Sequence, residues 1–153
     1  MTVRSMDALT SANRIAWETA SEKYVREYPE TLAIAASGAS LLVAERAALR
    51  AVLRTSPQVV HLQSGNGTDD VALIHAGARS VVGVDYSAVT VRAAQRRADE
   101  LGVDCRYVVG ALPGAPLAGG CADLVYTGKG ALIWIPDLAG WAGLGGLSAG
   151  RPV

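Results

Sequence analysis

The chain has 153 residues, half of them hydrophobic, with 14 basic and 14 acidic side chains and no phenylalanine. That length fits one domain, and a net charge of zero without a basic stripe offers nothing for electrostatic capture of nucleic acid or of an anionic membrane. Cys105 and Cys121 have neither metal nor redox spacing and read as thiols of a reducing compartment; residues 1–14 lack the apolar core of a signal peptide, so the expected location is the cytoplasm.

Residues 1–12 are expected to be loosely held. Trp17, Ala20, Tyr24 and Tyr28 then recur at spacings of three and four, which predicts a helix over 13–28 with these side chains on one face. Glu22 and Arg26 pair on another side, and Pro29 marks the end. The most apolar window, 32–44, is interrupted by Ser37, Gly38 and Ser40 and is too short to cross a bilayer. A second helix is predicted over 41–53, with Leu42, Leu49, Val52 and Leu53 inward and Glu45, Arg46 and Arg50 wet.

Residues 58–86 carry the centre of the pattern. A short apolar run, Val59-Val60-His61-Leu62, leads into the glycine turn Gly65-Asn66-Gly67. A helix opened by Thr68-Asp69-Asp70 and closed by Gly77 follows, then a second apolar run ending on Asp85. This is strand, glycine loop, helix, strand, acid: one βαβ unit with the layout of a nucleoside site. The glycines turn the backbone and let a ligand approach it without meeting a Cβ. Asp85 lies 18 positions after Gly67, near the roughly 20-residue spacing of an acid that binds ribose hydroxyls. Asp69 and Asp70 occupy the helix start, where a dinucleotide fingerprint carries its third glycine. Two carboxylates there repel a pyrophosphate and suit a ligand with a positive centre. A nicotinamide-binding Rossmann protein is the less favoured reading. His61 and His75 read as core histidines.

Ser87 is the expected N-cap of a helix over 88–101, with Val91, Ala94, Ala98 and Leu101 inward and Gly102 closing it. Arg92, Arg96 and Arg97 read as a solvated face. Residues 105–109 and 122–126 are predicted strands, separated by a glycine- and proline-rich loop, and Asp137 begins another helical segment through Trp141. Strands alternating with helices predict an α/β fold with a parallel sheet covered on both faces.

The motifs HLQSGNGTDDVALIHAGARSVVGVDYS and ADLVYT, with the helix over 13–28, resemble those of class I S-adenosylmethionine-dependent methyltransferases of small molecules. The resemblance runs from about Asn13 to Trp141. It implies a Rossmann-like doubly wound sheet of order 3-2-1-4, the family's later strands missing, with an N-terminal helical cover (1–57), a cofactor-binding core (58–141) and an irregular tail (142–153). It implies S-adenosyl-L-methionine as cofactor and no metal. Gly65 and Gly67 would cradle the amino-acid part of the cofactor, with Asp70 near its ammonium; Gln63, standing where the family often carries an acid, Ser64 and Asn66 would join them in binding the cofactor. Asp85 would take the ribose and Tyr86 the adenine. Gly110 and Ala111 stand where the family often carries an acid for the adenine amine, so a main-chain N–H at Ala111 or Leu112 would meet the ring instead. Thr127 and Gly128 would line the methyl end. Trp17, Tyr24, Tyr126 and Lys129 are lid or substrate candidates by location, Lys129 otherwise being a solvent-facing loop lysine. The expected reaction is in-line methyl transfer to a small molecule, a non-catalytic cofactor-binding remnant being the alternative. The sequence after Trp141 has no strand or helix pattern and suggests a truncated domain. The fourth strand would then be an open edge inviting self-association.

Overall fold

The computed structural model describes residues 3–147. In chain order the elements are α1 (Val3–Arg26), α2 (Tyr28–Ser37), α3 (Val43–Leu53), β1 (Gln58–Leu62), α4 (Thr68–His75), β2 (Ser80–Asp85), α5 (Ala88–Leu101), β3 (Cys105–Val109), β4 (Leu124–Thr127) and α6 (Leu138–Ala142). Short 3-10 turns occupy Leu132–Trp134 and Gly143–Leu147. The four strands form one parallel sheet in the order β3-β2-β1-β4. Valine-rich runs favour strands because branched side chains pack well on a pleated surface. The register sets His61 of β1 opposite Gly83 of β2 and Tyr126 of β4.

The two faces of the sheet are covered differently. On one, Val59, Val81, Cys105 and Tyr126 pack with Leu53 of α3, Leu73 of α4 and Ala98 of α5. On the other, Val60 and Leu62 meet Leu112, Leu117, Trp141 and Leu144, which come from the 110–120 loop and the C-terminal turns. Each fully buried valine or leucine contributes about 1.5–3 kcal/mol relative to exposure. Both layers therefore matter, although the second is thinner.

Several local expectations hold. The Ser87 hydroxyl caps α5 by accepting from the Thr90 N–H at 3.1 Å, and Gly102 ends that helix in the left-handed conformation. Arg26 and Glu22 form an exposed pair at 3.9 Å. Others need correction. Helix begins at Val3, so most of the segment expected to be loose belongs to α1. Pro29 breaks that helix but also sits in the first turn of α2, where the missing N–H costs nothing. Arg97 is not on a solvated face: it is 0 % exposed. Of the expected irregular tail, 143–147 is a 3-10 turn and 148–153 lie outside the described residues.

Cys105 is buried and Cys121 exposed. Burial pushes the Cys105 thiol up to about 12. A disulfide reagent at mildly alkaline pH is therefore expected to titrate one thiol in the folded chain and two after denaturation. Two rapid equivalents in the native state would refute this burial.

Candidate functional site

The glycine loop leaves β1 through alternating left-handed residues. Gln63 has φ +57°, Gly65 +57° and Gly67 +77°. Among the described residues a Cβ on Gly65 would meet nothing within 4 Å, so the main chain there is open to a ligand. Gly67 is different. A Cβ on it would lie 2.9 Å from the Cβ of Ala94 and hard against the Tyr107 hydroxyl. Tyr107 reaches this point from β3 by crossing β2 at Gly83, where any side chain would strike its ring at 2.6 Å.

Arg97 holds the loop from below. Its guanidinium donates to the carbonyl of Asn66 and, at 2.6 Å, to the Thr31 hydroxyl of α2. Both acceptors are neutral, and burial lowers the Arg97 pKa. The Asn66 side chain accepts from the Thr68 hydroxyl at 3.1 Å at the start of α4.

Asp85 stands at the tip of β2, 4 % exposed. One carboxylate oxygen accepts from the Gly65 N–H at 3.0 Å and the other from the Ser87 N–H at 2.9 Å. Each oxygen keeps a further lone pair for a ligand hydroxyl. Burial raises the Asp85 pKa, with the Ser87 and Gly65 N–H groups opposing. Burial also raises Tyr86, with help from Asp85, to about 12, so its phenol stays neutral.

At the opposite side stands a polar cluster that the sequence did not define. Asp70, expected near a cofactor ammonium, is 0 % exposed and does not line the cleft. It accepts instead from His61 Nδ1 at 2.5 Å. The helix turn that points Asp70 inward points its neighbour Asp69 into the cleft. There Asp69 accepts from the Ser40 hydroxyl and from Lys129 Nζ at 3.0 Å. Lys129 is thus tethered, with Glu45 also 3.7 Å away, and is not a free loop lysine. Tyr126 is buried, its hydroxyl donating to Glu45 at 3.1 Å and its ring centroid 4.7 Å from that of His61. It supports the site from beneath and does not line the main cleft. Lys129 is half-exposed, so Lys129→Ala is expected to cost at most about 1 kcal/mol in a denaturation series, less at high salt.

Between Asp85 and this cluster lies a cleft of about 400 Å³, within the usual range for small-ligand sites. Gln63, Ser64, Gly65, Asn66, Tyr86 and Gly128 line it, with Trp17 and Tyr24 of α1 above. Trp17 packs on Tyr24 at 6.2 Å and on Trp134 at 5.8 Å between ring centroids. A narrow recess continues past Asp85 and Tyr86 to Gly110, Ala111 and Leu112, closed by Trp134 and Pro136. At about 20 Å³ it is smaller than a purine. Thr127 lies outside this cleft, its hydroxyl facing the Leu62 carbonyl at 3.4 Å. Ser40, Asp69, Ile133 and Trp134 are cleft residues beyond those named from sequence. Only Asp69 had a signal, its place at a helix start.

Helix α1 is fixed over the site from α5. The Thr90 hydroxyl donates to the buried Ser21 hydroxyl at 2.6 Å, and the Val89 N–H donates to Glu18 at 3.3 Å.

A glycine loop, a strand-tip acid and a cleft at the carboxyl edge of a 3-2-1-4 parallel sheet define a Rossmann-like nucleoside-binding domain. The methyltransferase domain family matches residues 59–142, and the chain belongs to that family. Among solved structures, a candidate S-adenosyl-L-methionine-dependent methyltransferase of Methanococcus maripaludis superposes with a TM-score of 0.64 at 14% identity, covering 86% of this chain and 58% of its own. An S-adenosylmethionine-dependent methyltransferase of Geobacter sulfurreducens, solved with S-adenosyl-L-homocysteine, gives 0.55 at 27% identity, covering 73% and 45%. Its counterpart from Thiobacillus denitrificans, solved with the same ligand, gives 0.53 at 26%, covering 68% and 43%. This chain therefore spans about half the length of these proteins. No curated protein matches it. Among the described residues no helix is long and apolar enough to cross a membrane.

Proposed function

We propose that the chain binds S-adenosylmethionine in the cleft and transfers its methyl group to a small molecule in the cytoplasm. The observation that carries this reading is Asp85. It is held by two main-chain N–H groups with lone pairs to spare, beside the exposed main chain of Gly65. The residues fit the cofactor. Asp85 takes the ribose hydroxyls, Tyr86 and the Gly110–Leu112 recess take the adenine, and Asp69 and Lys129 offer one charge each to an amino-acid end. S-adenosylmethionine, when bound, supplies a methyl group already activated by its sulfonium. The work left to the protein is alignment of the acceptor and exclusion of water. Gly128 leaves the space for the methyl end free of a side chain, and Trp17, Tyr24 and Trp134 roof it.

Calorimetric titration with S-adenosylhomocysteine is expected to show micromolar binding, while reduced nicotinamide cofactor shows none. A folded chain that bound only the latter would overturn the reading. Adenine insertion requires Trp134 to shift out of the recess, so binding is expected to change tryptophan fluorescence, and Trp134→Phe to remove most of that change.

The outer edge of β4 is read as a self-association edge, because an unpaired strand leaves main-chain donors and acceptors open. Light scattering is expected to show mass rising with concentration. A constant monomer mass would end this idea.

A further inference from the structure

We propose that the groove between α1 and α5 binds a small amphipathic anion, a carboxylate or phosphate carried on an apolar body. The groove shares no lining residue with the cleft, so the site stands independently of the cofactor reading. Its volume is about 560 Å³, within the range of small-ligand sites.

Helical periodicity builds it. Val89, Arg92, Ala93 and Arg96 recur at spacings of three and four on one face of α5, and Glu22, Val25 and Arg26 do so on α1. Where the two stripes meet, Val25, Val89, Ala93 and the Tyr28 ring give the groove an apolar floor, with Val25 left 56 % exposed. The charges around that floor are unbalanced. Arg26, Arg92 and Arg96 line the groove against one carboxylate, Glu22. Glu22 pairs with Arg26 at 3.9 Å, with both side chains well exposed, and such a pair holds its partners weakly. Arg96 lies over the Tyr28 ring, 4.2 Å from its centroid, and meets Glu100 at 2.9 Å. Among the described residues Arg92 has no ion pair.

Arg92 and Arg96 are like charges at i,i+4, an arrangement that by itself destabilises a helix. An anion beside them removes that repulsion, and guanidinium groups match the oxygens of a carboxylate or phosphate. An apolar body on the same molecule covers Val25, Val89 and the Tyr28 ring. A cation is repelled, and an anion without such a body leaves the floor wet. Two of the three arginines read from sequence as a solvated face thus frame a binding groove.

The test is calorimetry on the chain with three probes: decanoate, decylamine, which carries the opposite charge on the same body, and acetate, which carries the charge alone. The proteins are wild type, Arg92→Glu, and Arg92→Glu combined with Arg26→Glu. Wild type is expected to bind decanoate at least about tenfold more tightly than either other probe, and less tightly at high salt. Arg92→Glu is expected to weaken decanoate about tenfold, the loss of one charge-assisted contact. The double variant is expected to reverse the preference toward decylamine. Equal wild-type affinity for decanoate and decylamine overturns the inference. So does decanoate binding unchanged in both variants, which would place the anion elsewhere, as in the cleft. Absence of decanoate binding also overturns it, and wild type that instead sediments with phosphatidylglycerol vesicles would make the patch a membrane contact. If the double variant does not fold, Arg92→Glu decides by the same ratio of decanoate to decylamine.

Discussion

Asp85→Ala is expected to weaken S-adenosylhomocysteine binding on the order of 100-fold. Two hydroxyl donors to an ionised carboxylate contribute about 1.5 kcal/mol each at the low end, and about 3 kcal/mol corresponds to that factor. The substitution also releases the Gly65 N–H, so the loop loses its tie to β2. The same variant has an opposite signature without ligand. Burial raises the Asp85 pKa, with Ser87, Gly65 and His61 opposing and Glu18 adding. From the ordinary aspartate value, about 3.9, up to the raised one, the folded state keeps a proton that the unfolded state has lost. Apo stability therefore falls as pH rises through that window and stays reduced above it. Asp85→Ala removes this contribution. Between pH about 4 and about 7 the variant's melting temperature is expected to fall less, or rise more, than that of wild type. Parallel curves would show that the carboxylate is not strained by burial.

Gly67→Ala is expected to destabilise the fold by about 3 kcal/mol. A left-handed φ costs a non-glycine residue about 1–2 kcal/mol, and forcing a methyl into packed space adds about 1–3 kcal/mol. Here the methyl meets the Tyr107 hydroxyl and Ala94. That is a drop of roughly 10 °C for a domain of this size, with loss of ligand binding because the turn opens. Among the described residues the Tyr107 hydroxyl faces Asp70 and Cys105 without a well-formed hydrogen bond, so Tyr107→Phe alone is expected to cost no more than about 1 kcal/mol. Added to Gly67→Ala, it is expected to recover part of the loss, since the hydroxyl is gone but the backbone strain remains. A double variant no better than the single would place the clash elsewhere.

The sheet order, the glycine loop and Asp85 at its strand tip were legible because each has a local signature. Valine runs mark strands, glycines mark left-handed turns, and Ser87 and Gly102 bracket a helix. The roles of Asp69 and Asp70 were not legible. Adjacent helix residues point about a quarter-turn or more apart, and only the seating of α4 on β1 decides which carboxylate meets His61 and which enters the cleft. The tethering of Lys129 was not legible for the same reason, since Ser40 and Asp69 reach it from distant segments.

By itself the sequence determined the α/β class, the position of the glycine loop and of the acid at the next strand's tip, and the family, because these depend on residues within one βαβ unit. Only the tertiary structure decided what supports and completes that loop. Gly83 opens a path for Tyr107, Arg97 braces Asn66 from inside, and Asp70 anchors His61. Each joins residues far apart in the chain, and no local pattern encodes which distant side chains a packed interior brings within hydrogen-bonding distance.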